Sequence, residues 1–391
     1  MVCSVGLHYY SESNNSFYDT AGINHIALLG SKAFLYPVPI PAAIARGLKN
    51  MGHHELQLFA SGVSRRDFIL RLLKGYFGLT FSALLAGCPL GKRQSAETFI
   101  AKAKNYSVDL ASVIKAGLRE LAVSEQEIKG KRILLKPNLV EPHRGIGHIN
   151  THPLVVRGAV EAFKSFGATE VIVAEGPGHY RDTHLVLEES KMIDVLWEDR
   201  IPFVDLNNDQ WFSTPNLGGF TKLDKLVLPA TLKKVDWIVS MPKMKTHHWA
   251  GVTLSMKNLF GVMPGMFYGW PKNVLHREGI EESIIDINAS VKPHFAIVDG
   301  ITGMEGDGPI MGKPKNAGVL VMGRNLPSVD ATCCRVMGIN PSKVRYLSKA
   351  ENKLGPLRQA DIIQRGESIA SVRTDFELLD IIQAHRGLRL L

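Results

Sequence analysis

The sequence predicts an α/β fold with a largely parallel or mixed central sheet and helices on both faces. Short apolar runs alternate with stretches whose apolar residues recur with helical spacing, which is typical of strands joined by crossover helices. The apolar runs are continuous rather than alternating, as expected for strands buried on both faces. The chain has 391 residues, of which 45% are hydrophobic, so it can bury a large core. Together these observations predict a Rossmann-like layering.

The predicted elements follow one another from residue 89 onward. Residues 89–105 are expected to form a polar tether, and an amphipathic helix is expected over 107–123. The helix "THPLVVRGAVEAFKSFG" has Thr151 as its expected N-cap and Gly167 as its stop, and a further helix is expected at "LVLEESKMIDVLWE". We therefore predict tether and helix over 89–125 and a single α/β domain over 126–391. The predicted strands are "RILLKPN", "EVIVAEG", "IPFVDLN", "DWIVSMP", "HFAIVDG" and "GVLVMG".

The segment before this domain resembles an export signal. In "SGVSRRDFILRLLKGYFGLTFSALLAGC", Arg65 and Arg66 are followed by an uncharged apolar run and then a cysteine. The run, from Gly75 to Gly87, is short for a membrane span but has the length of the hydrophobic part of a signal peptide. The S-R-R-x-F pattern resembles the twin-arginine signal, and "LAGC" resembles a lipobox. Residues 51–88 are therefore expected to direct export.

This interpretation sets the expected location of the protein. Lipidation is expected at Cys88, although the Pro89 that follows departs from the usual lipobox. The twin-arginine translocase would be a partner, and the exported protein would lie in the periplasm or on the outer face of the membrane, anchored through Cys88. Because such a signal normally opens a protein, residues 1–50 are interpreted as an overlong gene start before Met51. The alternative is an ordinary buried helix after a basic turn.

Composition narrows the classes of ligand. The net charge is +9, and residues 89–391 carry 39 basic against 33 acidic residues, which is only mildly basic. Basic runs interleaved with aromatic residues are absent from the sequence, so no nucleic acid is expected as a partner. The four cysteines form no C-x-x-C motif, so no iron–sulfur cluster is expected from the chain's own cysteines. Cys333 and Cys334 are expected to pack inside a helix. A small anion is the expected ligand.

The ends of the predicted strands carry the first candidate site. In open parallel sheets, ligands bind beyond the carboxyl ends of the strands. Here Lys136 and Asn138 follow "RILL", Glu175 follows "VIVA" and Asp299 follows "FAIV". Because several strands deliver charge or glycine at the same end, we expect one polar rim that binds a small anionic molecule.

The longest polar segment follows "DWIVS". It reads "MPKMKTHHWAGVTLSMKNLFG" and combines lysines and histidines with glycines and large apolar residues. Lysines bind phosphate or carboxylate as point charges or, when kept neutral, act as bases; the alternative is surface lysines whose stems cover apolar side chains. Adjacent histidines point to opposite faces of an extended chain, so one of the two is expected to be structural. The candidates are Lys243, Lys245, Thr246, His247, Lys257 and Asn258, with catalytic roles for Lys245 and His247.

A glycine-rich acidic segment, "VDGITGMEGDGPIMGKP", supplies the other candidates. Asp299 and Glu305 could bind a divalent metal or divide the roles of acid and base. Gly303 and Gly306 would let the backbone approach a ligand and present N–H groups to an anion. The alternative is a flexible solvated loop. On the functional interpretation, replacing Asp299 or Lys245 by alanine abolishes ligand binding without unfolding the protein.

These motifs resemble those of the domain-of-unknown-function family 362. The resemblance rests on "KPNLV", "MPKMKTHHWAGVTLSMKNLFG", "VDGITGMEGDGP" and "SVDATCCRVMGIN", which occur in that order, and covers roughly residues 131–376. The family positions coincide largely with the predicted rim and add Asp330. Many relatives carry ferredoxin-like cysteine motifs, and since this chain lacks them the resemblance implies no iron–sulfur role here. The resemblance implies no particular activity.

Three functional hypotheses follow. The first is an exported, lipid-anchored enzyme that acts on an anionic small molecule, with a divalent metal at Asp299 and Glu305 as a candidate cofactor. The second is a non-catalytic lipoprotein that captures an anion, which would need lysines and glycines but no acid–base pair. The third is a redox protein that obtains its cluster or electrons from a partner of an iron–sulfur system. The enzyme needs an acid–base pair in the cleft and the binding lipoprotein does not, so the side chains that line the cleft distinguish these two hypotheses.

Overall fold

The structure, a computed structural model, describes residues 95–178, 182–351 and 353–390. These residues belong to one unit of the chain, Pro89–Leu391. The N-terminal extension, the twin-arginine segment and Cys88 lie outside the described residues, so their interpretation stays a prediction. Within the described ranges, no helix has both the length and the apolar character that crossing a membrane requires.

The predicted strands are all present, and the structure adds others. The apolar runs become strands because their side chains are buried on both sides, as in "RILLKP", where five of six residues are buried. The described strands are β1 (Ala96–Lys102), β2 (Arg132–Pro137), β3 (Glu170–Glu175), β4 (Phe203–Asp205), β5 (Trp211–Pro215), β6 (Lys225–Pro229), β7 (Trp237–Met241), β8 (Lys243–His247), β9 (Gly251–Thr253), β10 (Phe295–Glu305), β11 (Lys313–Lys315), β12 (Val319–Gly323) and β13 (Ile362–Gly366).

The α-helices lie between these strands and start at recognisable caps. Asp109 accepts a hydrogen bond from the Ser112 N–H at the start of the first helix, and Asn325 accepts one from the Ser328 N–H. The described α-helices are α1 (Leu110–Glu120), α2 (Glu125–Ile128), α3 (Pro153–Ser165), α4 (Thr183–Glu189), α5 (Met192–Glu198), α6 (Ser255–Asn258), α7 (Gly265–Tyr268), α8 (Asn273–Arg277), α9 (Ile280–Val291), α10 (Leu326–Val336), α11 (Arg345–Ala350) and α12 (Ile369–Val372).

The central sheet is mixed and mainly parallel. Its strand order is β13-β1-β12-β10-β7-β2-β3-β4, and β10, β7, β2, β3 and β4 run parallel to one another. β12 is antiparallel to both of its neighbours, β1 and β10. β8 follows β7 directly and pairs with β10 and β9 beyond the end of β7. The carboxyl ends of β2, β3 and β7 therefore lie at one edge, with β8 and β9 extending over it.

Helices cover both faces of this sheet. Along β2, Ile133 and Leu135 pack into one core with residues of α1, α3 and α5, while Leu134 packs into the other core with residues of α9 and α10. Successive side chains of a strand point to opposite faces of the sheet, so a strand that contributes to both cores needs a continuous apolar run. The predicted α/β class with helices on both faces is confirmed.

Three local predictions need correction. The expected tether does not include Ala96–Lys102, because these residues form β1 between β12 and β13 and bury Phe99 and Ile100. The single helix expected over 185–198 is two helices, since Lys191 adopts a left-handed conformation between them. The N-cap of α3 is His152, whose Nδ1 accepts the Leu154 N–H, while the Thr151 hydroxyl donates to the Met241 carbonyl.

Candidate functional site: a cationic cavity at the strand ends

A cavity of about 330 Å³ opens where the parallel strands end. Five of the predicted site residues line it: Lys136, Asn138, His247, Lys257 and Asn258. Glu175, Thr253, Lys272, His248 and His276 line the same cavity, with Trp249 and Phe260 among its aromatic residues. The sequence-based rim is thus partly reproduced, since residues from β2, β3, β8, β9 and α6 meet around one space.

The floor of the cavity is a buried ion pair. The Lys136 ammonium lies 2.6 Å from Glu175 Oε2 and also donates to Asn258 Oδ1 and the Pro137 carbonyl, each at 3.0 Å. An ammonium group has three hydrogens, so Lys136 has none left for a ligand. Gly261 lies so close above the pair that a Cβ atom there would overlap both Lys136 and Glu175. Lys136 therefore contributes positive charge to the cavity rather than a direct hydrogen bond.

Lys257, on α6, is the cation that faces the cavity without such a partner. Its Nζ lies 4.1 Å from the centre of the Phe260 ring, and in the described part of the chain it has no carboxylate or hydrogen-bond acceptor. Burial, and next the positive charge of Lys136, lower the pKa of Lys257 to about 7. Near neutral pH this amine is therefore divided between its charged and neutral forms.

Two oxygen atoms around the cavity also lack partners among the described residues. Asn138 Oδ1 and Thr253 Oγ1 are buried atoms without a hydrogen bond, although both residues line the cavity. An unsatisfied buried polar group costs about 1–3 kcal/mol. The backbone of Asn138 is fixed by two hydrogen bonds with Thr151. Asn138 and Thr253 thus bring hydrogen-bonding capacity to the cavity that no described residue uses.

His247 presents a nitrogen–hydrogen donor to the same space. Its Nδ1 accepts the backbone N–H groups of Trp249 at 3.0 Å and Ala250 at 3.2 Å, so the ring proton sits on Nε2. Burial, followed by the charge of Lys257, lowers the pKa of His247 well below its usual value. His247 is therefore a neutral donor near Lys257. Because β8 ends at His247 and the chain then turns, His248 lines the cavity too, contrary to the expectation for an extended chain.

Lys272 is a cavity residue that the sequence did not single out. Its ammonium is hydrogen-bonded to Asn207 Oδ1, and its side chain is buried beside the Trp270 ring. Burial lowers the pKa of Lys272 to about 7, with the carboxylate of Glu175 opposing that shift. No local pattern in "GWPKN" marks it, since the loop is brought to the cavity only by folding.

Lys245 lies next to the cavity rather than in its lining. It is completely buried, and its Nζ donates to the carbonyl of the cavity residue Pro309 at 3.2 Å. Burial and then the charge of Lys243 lower the pKa of Lys245 well below its usual value. The catalytic role predicted for Lys245 stays a prediction, and contact between this completely buried side chain and a ligand would require a local rearrangement.

Lys243 and Asp299 form a second buried pair, away from the cavity lining. The Lys243 ammonium lies 2.6 Å from Asp299 Oδ2 and 2.9 Å from the hydroxyl of Tyr106, and both pair members are completely buried. Asp299 also accepts the His152 N–H, and Tyr106 stacks on the His152 ring at 3.7 Å. The structure thus closes this carboxylate inside a network instead of presenting it in the cleft.

The remaining acidic and glycine candidates also lie elsewhere. Glu305 accepts the Glu377 N–H at 2.9 Å and pairs with Lys315 at 3.1 Å. Gly303 packs against Met244 and Phe376, while the Thr246 hydroxyl donates to the Gly306 carbonyl. Asp299 and Glu305 share no partner, and no group of three His, Cys, Asp or Glu side chains suited to a metal occurs among the residues described. Asp299 and Glu305 are thus bonded to different groups, and the metal role suggested for them stays a prediction.

Asp330 positions the segment that carries Lys257. From α10 it accepts the N–H of Ser255 at 2.7 Å and the N–H of Met256 at 3.1 Å, and the hydroxyls of Ser255 and Tyr346 also bond to it. A carboxylate at this place satisfies the first donors of the short helix α6. Burial raises the pKa of Asp330 to about 7, and the donated hydrogen bonds oppose that rise. In the same helix Cys333 and Cys334 are fully buried, as predicted.

The family model described as "Domain of unknown function (DUF362)" matches residues 133–335. The chain belongs to this family. A curated relative of this DUF362 protein, the thylakoid-associated protein sll1697 of Synechocystis sp., is 25% identical over 228 residues, which is 58% of this chain and 68% of that protein. The region that the family model matches, residues 133–335, contains every residue of the cavity described above.

Two solved structures show partial similarity. The lactate racemase apoprotein from Thermoanaerobacterium thermosaccharolyticum has 15% identity and a TM-score of 0.38, with 63% of this chain and 58% of that chain covered. A Thermotoga maritima protein has 14% identity and a TM-score of 0.33, with 57% and 58% covered. This chain therefore spans 58% of the length of each of these proteins.

Proposed function

We propose that the cavity binds a small anionic molecule and that the protein acts on it as an enzyme. The observation that carries this proposal is the excess of cations over carboxylates: Lys136, Lys257 and Lys272 line the cavity, whereas Glu175 is the one carboxylate among the described lining residues. Glu175 is already paired with Lys136, so the other two lysines are not neutralised by it. Burial, and after it the charge of Lys136, lower the pKa values of Lys257 and Lys272, and a bound anion would offset both effects by stabilising their charged forms.

The polar atoms narrow the ligand further. Anionic oxygens would accept from Lys257 and from His247 Nε2, whereas Asn138 Oδ1 can only accept and therefore requires a donor such as a hydroxyl. A volume of about 330 Å³ lies in the range of small-molecule sites. Small carboxylates or phosphates with a hydroxyl group therefore match the cavity in charge, size and hydrogen bonding.

Titration calorimetry with oxalate, glycolate and inorganic phosphate tests the binding step. Below pH 7 both Lys257 and Lys272 are mainly protonated, and above pH 7 they lose their charge. We expect affinity to be highest near pH 6 and to fall as the pH rises, by up to about tenfold per unit while one proton must be taken up.

A matched pair of variants assigns that pH dependence. Lys257→Arg keeps the charge of this residue at all these pH values, so its affinity should fall less between pH 6 and pH 9 than that of the wild-type protein, with Lys272 responsible for the remaining fall. Lys257→Met should bind weakly at every pH. Anion affinity that is equal at pH 6 and pH 9 in the wild-type protein would contradict the proposal.

A non-catalytic binding protein is the second candidate, and one observation favours it. Asp299 and Glu305, which the sequence suggested as an acid–base pair, do not line the cavity. Acid–base work would then fall to His247 and Lys257. Prolonged incubation with a bound anion, followed by mass spectrometry of the small molecule, separates the two: an unchanged ligand supports binding alone, and a new product supports an enzyme.

Export and anchoring are proposed on the sequence of residues 51–88. The twin-arginine pair, the apolar run and the lipobox-like "LAGC" support transport by the twin-arginine route and attachment through Cys88. In a host with that route, we expect the wild-type protein in the membrane fraction and the Cys88→Ser variant released from it. Replacing Arg65 and Arg66 by lysines should retain the precursor in the cytoplasm, and export that persists in that variant would contradict the assignment.

A further inference from the structure

We propose that Lys257 is a nucleophile that forms an imine with a carbonyl-bearing anion, which makes the ligand of the cavity an oxo acid or a related aldehyde. This inference rests on the proposed anion site and specifies its substrate class. It starts from a contrast between two lysines that line the same cavity. Lys272 donates to Asn207 and is buried, whereas Lys257 is partly exposed to the cavity and is bound to no acceptor in the described part of the chain.

The surroundings of Lys257 suit a nucleophile. Phe260 covers one side of its Nζ at 4.1 Å and limits hydration, while the charge of Lys136 lies beneath. An apolar wall and a neighbouring cation are the two features that keep a lysine amine neutral, and a neutral amine is the form that attacks carbonyl carbon. Burial and that cation together bring the pKa of Lys257 to about 7. A lysine needed only for charge would gain from a carboxylate partner, which Lys257 lacks among the described residues.

The neighbouring groups provide for the other atoms of the step. The amine nitrogen bonds to the carbonyl carbon, and the carbonyl oxygen becomes a hydroxyl that leaves as water. Both hydrogens of water come in net from the amine, so the reaction is balanced and neither oxidised nor reduced. The protons that complete the water pass from the amine nitrogen to the departing hydroxyl, and the neutral His247 can orient that hydroxyl by donating a hydrogen bond from Nε2–H. Lys272 and Lys136 meanwhile hold the anionic end of the substrate by charge.

Position relative to the unsatisfied oxygens supports this assignment. Asn138 and Thr253 line the cavity with Lys257, and their buried Oδ1 and Oγ1 atoms have no partners among the described atoms. A carbinolamine intermediate carries a new hydroxyl, which can donate to Asn138 Oδ1, and the Thr253 hydroxyl can donate to its oxygen. These two residues can therefore also bind the hydroxyl that appears during imine formation.

Reductive trapping tests the inference. The full-length protein is incubated at pH 7 with glyoxylate and cyanoborohydride, and the modified lysine is mapped by peptide mass spectrometry. At this pH an amine with a pKa near 7 has about a thousand times more neutral form than an ordinary lysine. We expect carboxymethylation of Lys257 at least about a hundredfold faster than that of the exposed Lys164, and no comparable labelling of Lys272.

Controls separate this inference from the anion site on which it rests. Lys257→Arg should give no fast adduct at any residue of the cavity, and oxalate should protect the wild-type lysine from labelling. Oxalate binding without fast labelling of Lys257 overturns the imine and leaves the anion site intact. Absence of binding by oxalate, glyoxylate and phosphate overturns both. Labelling that spreads equally over Lys257, Lys272 and Lys164 also overturns the imine.

Discussion

Replacing Asp299 by alanine is expected to lower the free energy of unfolding strongly rather than only to weaken ligand binding. The change removes the partner of Lys243, which is completely buried and would keep a charge, or a neutral amine, without its main acceptor. Tyr106 and the His152 N–H lose an acceptor as well. Breaking a buried pair from one side costs about 3–5 kcal/mol, a large part of the stability of a typical domain. Urea unfolding of the variant measures this loss.

A double variant shows whether the loss of stability comes from the lysine that Asp299→Ala leaves unpaired. Lys243→Met combined with Asp299→Leu should be more stable than Asp299→Ala alone, because no buried charge is left. The matched control is Glu170→Ala, which breaks the exposed pair with Arg132 between β2 and β3 and should cost at most about 1 kcal/mol. The expectation would be wrong if the Asp299→Ala protein unfolded at the same urea concentration as the wild-type protein. Asp299 would then be an exchangeable residue of the cleft, as the sequence alone suggested.

Asp330→Ala is expected to lower both stability and anion affinity, although Asp330 does not line the cavity. The change leaves the N–H groups of Ser255 and Met256 and the hydroxyl of Tyr346 without their carboxylate. Unsatisfied buried donors cost about 1–3 kcal/mol each, so a total loss of about 3 kcal/mol or more is expected. Since α6 carries Lys257, its displacement should weaken oxalate binding at least about tenfold, which corresponds to 1.4 kcal/mol.

Asp109→Ala provides the comparison for that variant. Asp109 also caps a helix through backbone N–H groups, but it is exposed at the start of α1, where water replaces the lost acceptor. We expect a much smaller loss of stability and unchanged oxalate affinity. If Asp330→Ala bound oxalate as tightly as Asp109→Ala did, the proposed positioning of Lys257 by Asp330 would be wrong.

Sequence patterns identified best the strands whose residues are apolar throughout. The runs around Leu134, Ile172 and Val239 are apolar throughout, and strands buried on both faces need that composition. β1 escaped detection because Glu97 and Lys102 give it a polar appearance, and because its neighbouring strands β12 and β13 are remote in sequence. The break at Lys191 depends on one backbone conformation that no periodicity contains.

The residues of the candidate site also divide into those that sequence patterns identify and those that only the fold reveals. Lys136, Asn138, His247 and Lys257 could be assigned to one rim because they follow strand ends that a parallel sheet brings together. Lys272 could not, since it reaches the cavity from a loop with no strand signal. Lys243 and Lys245 follow each other on one face of β8 and Thr246 lies on the other, and only the packing of β8 against β10 decides which partners close off these side chains.

The sequence by itself determined the α/β class, the polar strand ends and two of the lysines gathered there, Lys136 and Lys257. These properties follow from local composition and from the rule that parallel strands end at one edge. Only the tertiary structure decided how each charge is used. Lys136 and Lys243 form ion pairs with Glu175 and Asp299 on neighbouring strands, whereas Lys257 has no carboxylate partner among the described residues. The physical reason is that the energy of a charge depends on its neighbours and its distance from water, and folding alone sets both.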